Sequence, residues 1–277
     1  MELTKEYVRI VAQMMIRNEA DIIYETLNEI AHWGVKTVVI LDGGSDDGTV
    51  EQVIAFHAAR PDVNVDLHIV PDPNDEFHDH QRQVLLDLTR AHHPDWIISL
   101  DADEIYHTDP VAAILVAHIA GANVVWEDVP QFWLTIADIR NGLLLEDERI
   151  SVQERRKWYS WGHTGCFIWR DDPKHYYPKA IQKRTPEYEG VENYREWQRP
   201  GPVRPICKHY CFRSLPQAIK RMEERRARGG RKYFGKYFCD FIIDEVAAGL
   251  HYFDGGWVKD QGGHRRVHDY MGRLERK

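Results

Sequence analysis

Four cysteines in 277 residues (Cys166, Cys207, Cys211, Cys239) are few for a chain of this length and read as thiols rather than a disulfide scaffold. No stretch approaches 18 uninterrupted apolar residues, which excludes a membrane-spanning helix. The opening MELTKEYVRIVAQMM lacks the basic-then-apolar order of a secretion signal, so cytoplasmic residence is expected. Internal repeats, low-complexity tracts and an obvious linker are also missing. What remains is a chain with 43% hydrophobic residues, enough for a sizeable core in one large domain, with or without an extension.

Charge is unevenly placed. The net charge is −8, yet residues 204–277 hold 17 Lys/Arg against 9 Asp/Glu. A basic last quarter on an acidic body either meets a polyanion or forms a solvated helix face with internal ion pairs.

The first hundred residues alternate between two periods. Val8–Met14 is a short buried strand, and Asp21–His32 sets Ile22, Ile23, Leu27, Ile30 and Ala31 at helical spacing. Asn18, three residues before Asp21, reads as the N-cap. Val35–Leu41 is a β-branched second strand. GGSDDGT turns the chain into a helix carrying Val50, Val53 and Ile54. Val65–Val70 is the third strand, Gln81–Ala91 a helix and Trp96–Leu100 the fourth strand. This alternation predicts an α/β fold with a mainly parallel sheet covered on both faces. Further on, Pro110–Ile119 is a helix with proline in its first turn, and Asn123–Trp126 a strand. Residues 126–169 are rich in Trp and Phe. Residues 171–205 carry six prolines and read as a long loop over the site. Ser214–Arg228 reads as a basic helix ended by Gly229-Gly230.

In open α/β sheets ligands sit outside the carboxyl ends of the strands. Arg17-Asn18-Glu19 follows the first strand, Asp42-Gly43-Gly44-Ser45-Asp46-Asp47 the second, and Asp101-Ala102-Asp103-Glu104 the fourth. Three polar clusters at three strand ends predict one crevice. Asp101 and Asp103, one residue apart beyond a buried strand, can both reach one divalent ion. Their hard oxygens suit Mg²⁺ or Mn²⁺, which leave positions open for phosphate oxygens.

The segments MMIRNEADIIYETLNEIAHWGV, VVILDGGSDDGTVEQV, WIISLDADEIY and KHYCFRSLPQAIKRMEERRARG resemble a GT-A-fold glycosyltransferase, similar to family 2. The resemblance is close over roughly the first 110 residues and poor in the middle of the chain. It implies a Rossmann-like three-layer sandwich with a C-terminal acceptor-side extension: residues 1–125 bind a nucleotide-sugar, UDP- or GDP-linked, and 126–277 form the acceptor-side region. It implies Asp101, Asp103 and His209 as ligands of Mn²⁺ or Mg²⁺. Asp42 is implied at the base or ribose and Asp101 also near the ribose. Glu19, Ala102, Arg213 and Ser214 complete the implied donor contacts. Arg17 and Arg82 each read either as a diphosphate contact or as a surface arginine. For an inverting reaction the general base is expected at Glu187, Glu189 or Glu192, with Asp128 as second option; of these, Glu189 and Asp128 are the principal candidates.

The sequence departs from the family at Gly43, where many relatives carry a second acid, and this loosens inference about the base bound. Cys207 and Cys211 flank His209 but lack a second ligand pair, which argues against zinc. Most of Trp126, Phe132, Trp133, Trp158, Trp161 and Trp169 belong to the core; Trp158 and Trp161, beside Arg155, Arg156, Lys157 and His163, are the candidate acceptor contacts. The acceptor is open: a small molecule, a glycan, an anionic lipid or phosphosugar, or nucleic acid such as modified DNA met by the basic quarter. A different class, nucleotidyl transfer, normally needs a glycine-rich phosphate loop after the first strand, and MMIRNEAD has no glycine. A nucleotide-binding module without catalysis is the remaining alternative.

Overall fold

A computed structural model describes residues 8–70, 77–143, 150–178, 185–191, 193–227 and 242–260. In chain order the elements are β1 (Ile10–Ile16), α1 (Ile23–His32), β2 (Thr37–Asp42), α2 (Thr49–Ala59), β3 (Asn64–Ile69), α3 (Phe77–Arg90), β4 (Trp96–Ser99), β5 (Glu104–Tyr106), α4 (Pro110–Ile119), β6 (Val124–Phe132), α5 (Ile136–Arg140), α6 (Val152–Arg155), β7 (Trp158–Arg170), β8 (His175–Tyr176), β9 (Glu187–Tyr188), α7 (Tyr194–Trp197), β10 (Cys207–His209), α8 (Leu215–Ala227) and β11 (His251–Tyr252). They divide into two compact units: Met1–Asp128 with Thr164–Cys207, and Val129–His163 with Lys208–Lys277.

In the first unit β1, β2 and β4 are parallel strands buried on both faces, while β3 is only half-buried, with Asn64 and Ile69 exposed. β1 pairs in parallel with β2 (Ala12 opposite Val38, Ile16 opposite Asp42) and with β4 (Ile10 opposite Trp96). β2 pairs in parallel with β3. Within this unit the order begins β3-β2-β1-β4 and continues through the C-terminal half of β7 to the N-terminal half of β6. β7 runs antiparallel to β4, with Trp96 opposite Arg170. The α/β expectation is met, and this sheet is consistent with a GT-A fold.

Each helix buries one stripe. Ile23, Leu27, Ile30 and Ala31 of α1 meet the core formed by β1, β2 and β4. α2 turns Thr49, Val53 and Phe56 inward; Ile54 is 58% exposed, because it lies about 100° around the helix from Val53. α1 starts at Ile23 with Ile22 at the N-cap and no side-chain cap. Asn18 is not the cap: it lies four residues earlier, in the left-handed region (φ 57°). α4 matches its expected bounds because Asp109 caps it, accepting from the Ala112 N–H at 2.9 Å, and proline fills its first turn. The stretch 171–205, expected as loop, contains β8, β9 and α7 among its described residues. Gly229-Gly230, the expected helix stop, lies outside the described residues.

The second unit holds the start of β7 paired with β11 (Tyr159 opposite His251) and β10 beside the end of β6 (His209 opposite Gln131). Phe132 stacks on Tyr210 with ring centroids 4.7 Å apart, and Trp133 on Phe212. Arg156 is fully buried and 3.8 Å from Asp138. Burial pulls its guanidinium down to about 10, against the pull of Asp138. β6 and β7 approach so closely that a Cβ on Gly162 would stand 2.0 Å from the Val129 carbonyl oxygen. Gly162→Ala is therefore expected to cost about 1–3 kcal/mol through overpacking, read as a lower denaturation midpoint; an unchanged midpoint shows that the strands separate without penalty.

Candidate functional site

The carboxyl ends of β1 and β2 are joined by side chains of the very residues that made the sequence distinctive. Asp42, fully buried, accepts at Oδ1 from the backbone N–H groups of Gly44 (2.8 Å) and Ser45 (2.9 Å), and at Oδ2 from the Ser45 hydroxyl (2.5 Å). With its proton so committed, Ser45 Oγ accepts from the Asn18 N–H at 2.9 Å. The same relay recurs four residues on. Thr49 gives its hydroxyl proton to Asp47 and accepts the Glu19 N–H at 2.8 Å. Asp46 N–H donates to the Asn18 side chain (3.0 Å), and Ala20 N–H to Asp47 (3.2 Å). Two carboxylate–hydroxyl–amide relays thus fasten the loop after β1 to the loop after β2. Gly44 and Gly48, at φ 83° and 97°, supply the left-handed turns this needs.

Beyond β4 the chain makes a turn closed at both ends. Glu104 N–H donates to the Asp101 carbonyl (3.1 Å), and Asp101 N–H donates back to the Glu104 carboxylate (3.1 Å). Between them the Ala102 carbonyl accepts the Thr26 hydroxyl of α1 at 2.6 Å. Asp101 is half-buried, while Asp103 and Glu104 are 2% exposed. Further buried acids lie on β6. Glu127 accepts a short hydrogen bond from Tyr106, whose phenol is pushed well up first by burial and then by the Glu127 charge. Asp128 accepts from Thr164 at 3.5 Å.

Arg17 and Glu19 are half-buried at the end of β1. Arg82 lies on α3, one turn before Leu85, which packs with Val11, Val39 and Leu41. Its Nε is buried without a hydrogen-bond partner among the described residues. Glu187 is half-buried on β9 and accepts from the Tyr176 hydroxyl at 3.3 Å; Glu189 is exposed. Glu192 lies outside the described residues. The first unit therefore contains Arg17, Glu19, Asp42, Arg82, Asp101, Ala102, Asp103, Asp128 and Glu189.

His209, Arg213 and Ser214 belong to the second unit. His209 is half-buried at the end of β10. Arg213 and Ser214 are fully buried and organise the start of α8. Ser214 Oγ accepts the Gln217 N–H (3.2 Å), Gln217 accepts the Arg213 N–H (3.3 Å), and the Arg213 guanidinium donates to the Tyr210 carbonyl (3.4 Å). Trp161 is only 6% exposed and Trp158 is half-buried. Among the described residues no group of three or more His, Cys, Asp or Glu is arranged to hold a metal ion.

Sequence reasoning missed Thr26, Thr49 and Glu127. Thr26 carried a readable signal, a hydroxyl set inside the apolar stripe of α1. Glu127 carried one too, a carboxylate inside an otherwise apolar strand.

The sequence profile described as glycosyl transferase family 2 matches residues 13–167, a span that includes both hydroxyl relays and the Asp101–Glu104 turn. Among solved structures, the chain is similar to a mannosyltransferase, PcManGT from Pyrobaculum calidifontis, in complex with GDP-Man and Mn²⁺. Identity is 15% and the TM-score 0.46, with 96% of this chain and 69% of that one covered. No curated protein matches the chain. No helix among the described residues is long and apolar enough to cross a membrane.

Proposed function

The chain belongs to glycosyl transferase family 2 and is a glycosyltransferase; from that premise we propose that it moves a sugar from a nucleotide-diphosphate donor to an acceptor hydroxyl with the help of Mn²⁺ or Mg²⁺. The observation that carries the metal is the closed turn Asp101–Glu104. Two carboxylates one residue apart stand on a backbone whose N–H and carbonyl groups are already tied down. Hard oxygens in this arrangement fit a hard divalent cation. With no threefold cluster of His, Cys, Asp or Glu among the described residues, the remaining coordination positions fall to donor phosphate oxygens and water. When bound, such an ion neutralises the charge of the departing diphosphate.

The chain's own groups divide the remaining work. Arg82, with a buried Nε lacking a partner among the described residues, is assigned to the donor phosphates, and Arg17 to the same task from the end of β1. Asp42 has three donors on its carboxylate and about four acceptor positions in all. It therefore keeps room for one further hydrogen bond, which we assign to the donor's base or ribose. Asp128, buried on β6, is preferred over the exposed Glu189 as the base that accepts the acceptor's proton.

A thermal-shift series tests the donor and the metal together. UDP and GDP, with and without Mn²⁺, are added to the full chain. One of them is expected to raise the melting temperature with Mn²⁺ and much less without it, because ligands that bind only the folded form stabilise it by mass action. Equal shifts with and without Mn²⁺ would remove the metal from the reading.

A further inference from the structure

We infer that Thr26 is a positioning residue for the Asp101–Asp103 turn: from helix α1 its hydroxyl fixes the Ala102 carbonyl, and so sets how the two flanking carboxylates face a cation. The inference rests on the proposed role of those carboxylates as donor-side metal ligands.

A threonine hydroxyl inside a helix ordinarily turns back to the carbonyl four residues earlier. The Thr89 hydroxyl does this toward Leu85 in α3 (2.7 Å), but the Thr26 hydroxyl does not turn back to Ile22. The hydroxyl reaches outward instead, to a carbonyl 76 positions away in the chain, at 2.6 Å. Both ends of the bond are buried, Thr26 at 1% and Ala102 at 3% exposure, so bulk water is a poor substitute. The acceptor belongs to the peptide that joins Ala102 to Asp103. Rotating that peptide would swing Asp103 relative to Asp101, and the hydroxyl holds it still.

A second contact from the same helix shows that the grip is organised. Trp33, which caps the end of α1, donates its indole N–H to the Tyr106 carbonyl at 3.4 Å. Residues seven apart lie two turns apart on one helical face. α1 thus holds β5 just before its start and at its end. The loop leading into α1 is fastened to the loop after β2 by the hydrogen bonds to Thr49 and Asp47. One helix therefore carries the spacing between the Asp42 loop and the Asp101–Asp103 turn.

The test compares Thr26→Val, which keeps shape and deletes the hydroxyl, with Thr26→Ser, which keeps it. Thr89→Val serves as the matched control. Thr89 is fully buried, and its hydroxyl bonds the Leu85 carbonyl (2.7 Å) and the Gln13 side chain (3.0 Å), neither of which belongs to the turn. Free Mn²⁺ is followed by electron paramagnetic resonance during titration of each full-length protein with UDP present, and again with GDP. Thr26→Val is expected to weaken Mn²⁺ uptake about tenfold, the scale on which outer partners of metal ligands act. Thr26→Ser is expected to restore it. Thr89→Val is expected to lower the melting temperature comparably without changing uptake. Wild-type uptake in Thr26→Val, or equal weakening in Thr89→Val, overturns the inference. If Asp103→Ala abolishes uptake while Thr26→Val does not, only the positioning role falls. If the wild type takes up no Mn²⁺ with either nucleotide, the metal reading falls and this inference with it.

Discussion

Asp103→Asn is expected to lower kcat/KM for sugar transfer by about 100- to 1000-fold, because charge stabilisation by a bound ion is worth several kcal/mol and each 1.4 kcal/mol is tenfold in rate. The substitution keeps shape and volume at a position only 2% exposed, and it removes one negative charge. An amide oxygen is a weaker ligand for a hard cation than a carboxylate. The turn itself is not expected to open, since bonds through the Glu104 carboxylate and the backbone of Asp101, Ala102 and Glu104 persist in the variant. Loss of rate should therefore come with a melting temperature close to that of the wild type. Initial rates across a Mn²⁺ titration decide the matter. Activity within about threefold of wild type at every metal concentration would show that Asp103 is no ligand. A parallel loss of rate and stability would show that its role is structural.

How far these features could be read beforehand depended on how local they are. The start of α4 was legible to the residue because both its start signals, the cap Asp109 and the first-turn Pro110, sit there. β2 and β4 were legible as apolar runs because both their faces are covered. β7 was not. Its sequence WYSWGHTGCFIWR interrupts aromatics with two glycines, and its partners lie far off in the chain, Trp96 against Arg170 and Tyr159 against His251. Nothing within a local window announces such pairings. The acidic clusters at strand ends were visible for the opposite reason, since a carboxylate directly after an apolar run is conspicuous wherever it folds. The signature around Asp42 nevertheless carries more structural duty than its sequence suggested. Ser45, Asp47 and Thr49 bond to the loop after β1, and Asn18, expected to cap α1, instead accepts the Asp46 N–H.

The largest expected loss of stability lies outside the catalytic proposal, at Arg90. The last residue of α3 forks onto Asp171, with Nε 3.1 Å and 3.2 Å from its two oxygens and Nη2 3.0 Å from Oδ1, and it also donates to the carbonyls of Asp172 and His175. One side chain thereby ties α3 to the segment between β7 and β8. Burial pushes the Asp171 carboxyl up, but hydrogen bonds and charge from His175 and Arg90 outweigh it and leave the group below its ordinary 3.8. Arg90→Leu removes the fork and leaves a carboxylate that is only 14% exposed, with the His175 ring 3.9 Å away. The expected cost is about 2–4 kcal/mol, below the full penalty for a completely buried pair because Arg90 is partly solvated, or roughly 5–10 °C in melting temperature. The pH dependence has a definite sign. A carboxylate whose folded pKa is depressed adds stability that is complete above its unfolded pKa and is lost as pH falls through the folded value. The deficit of Arg90→Leu relative to wild type should therefore be full at pH 6 and shrink as pH is lowered below about 4, where protonated Asp171 no longer needs the arginine. Melting curves of both proteins between pH 3 and pH 7 measure this directly, and a deficit that stays constant over that range would mean that Arg90 stabilises the protein through packing and its carbonyl contacts rather than through Asp171.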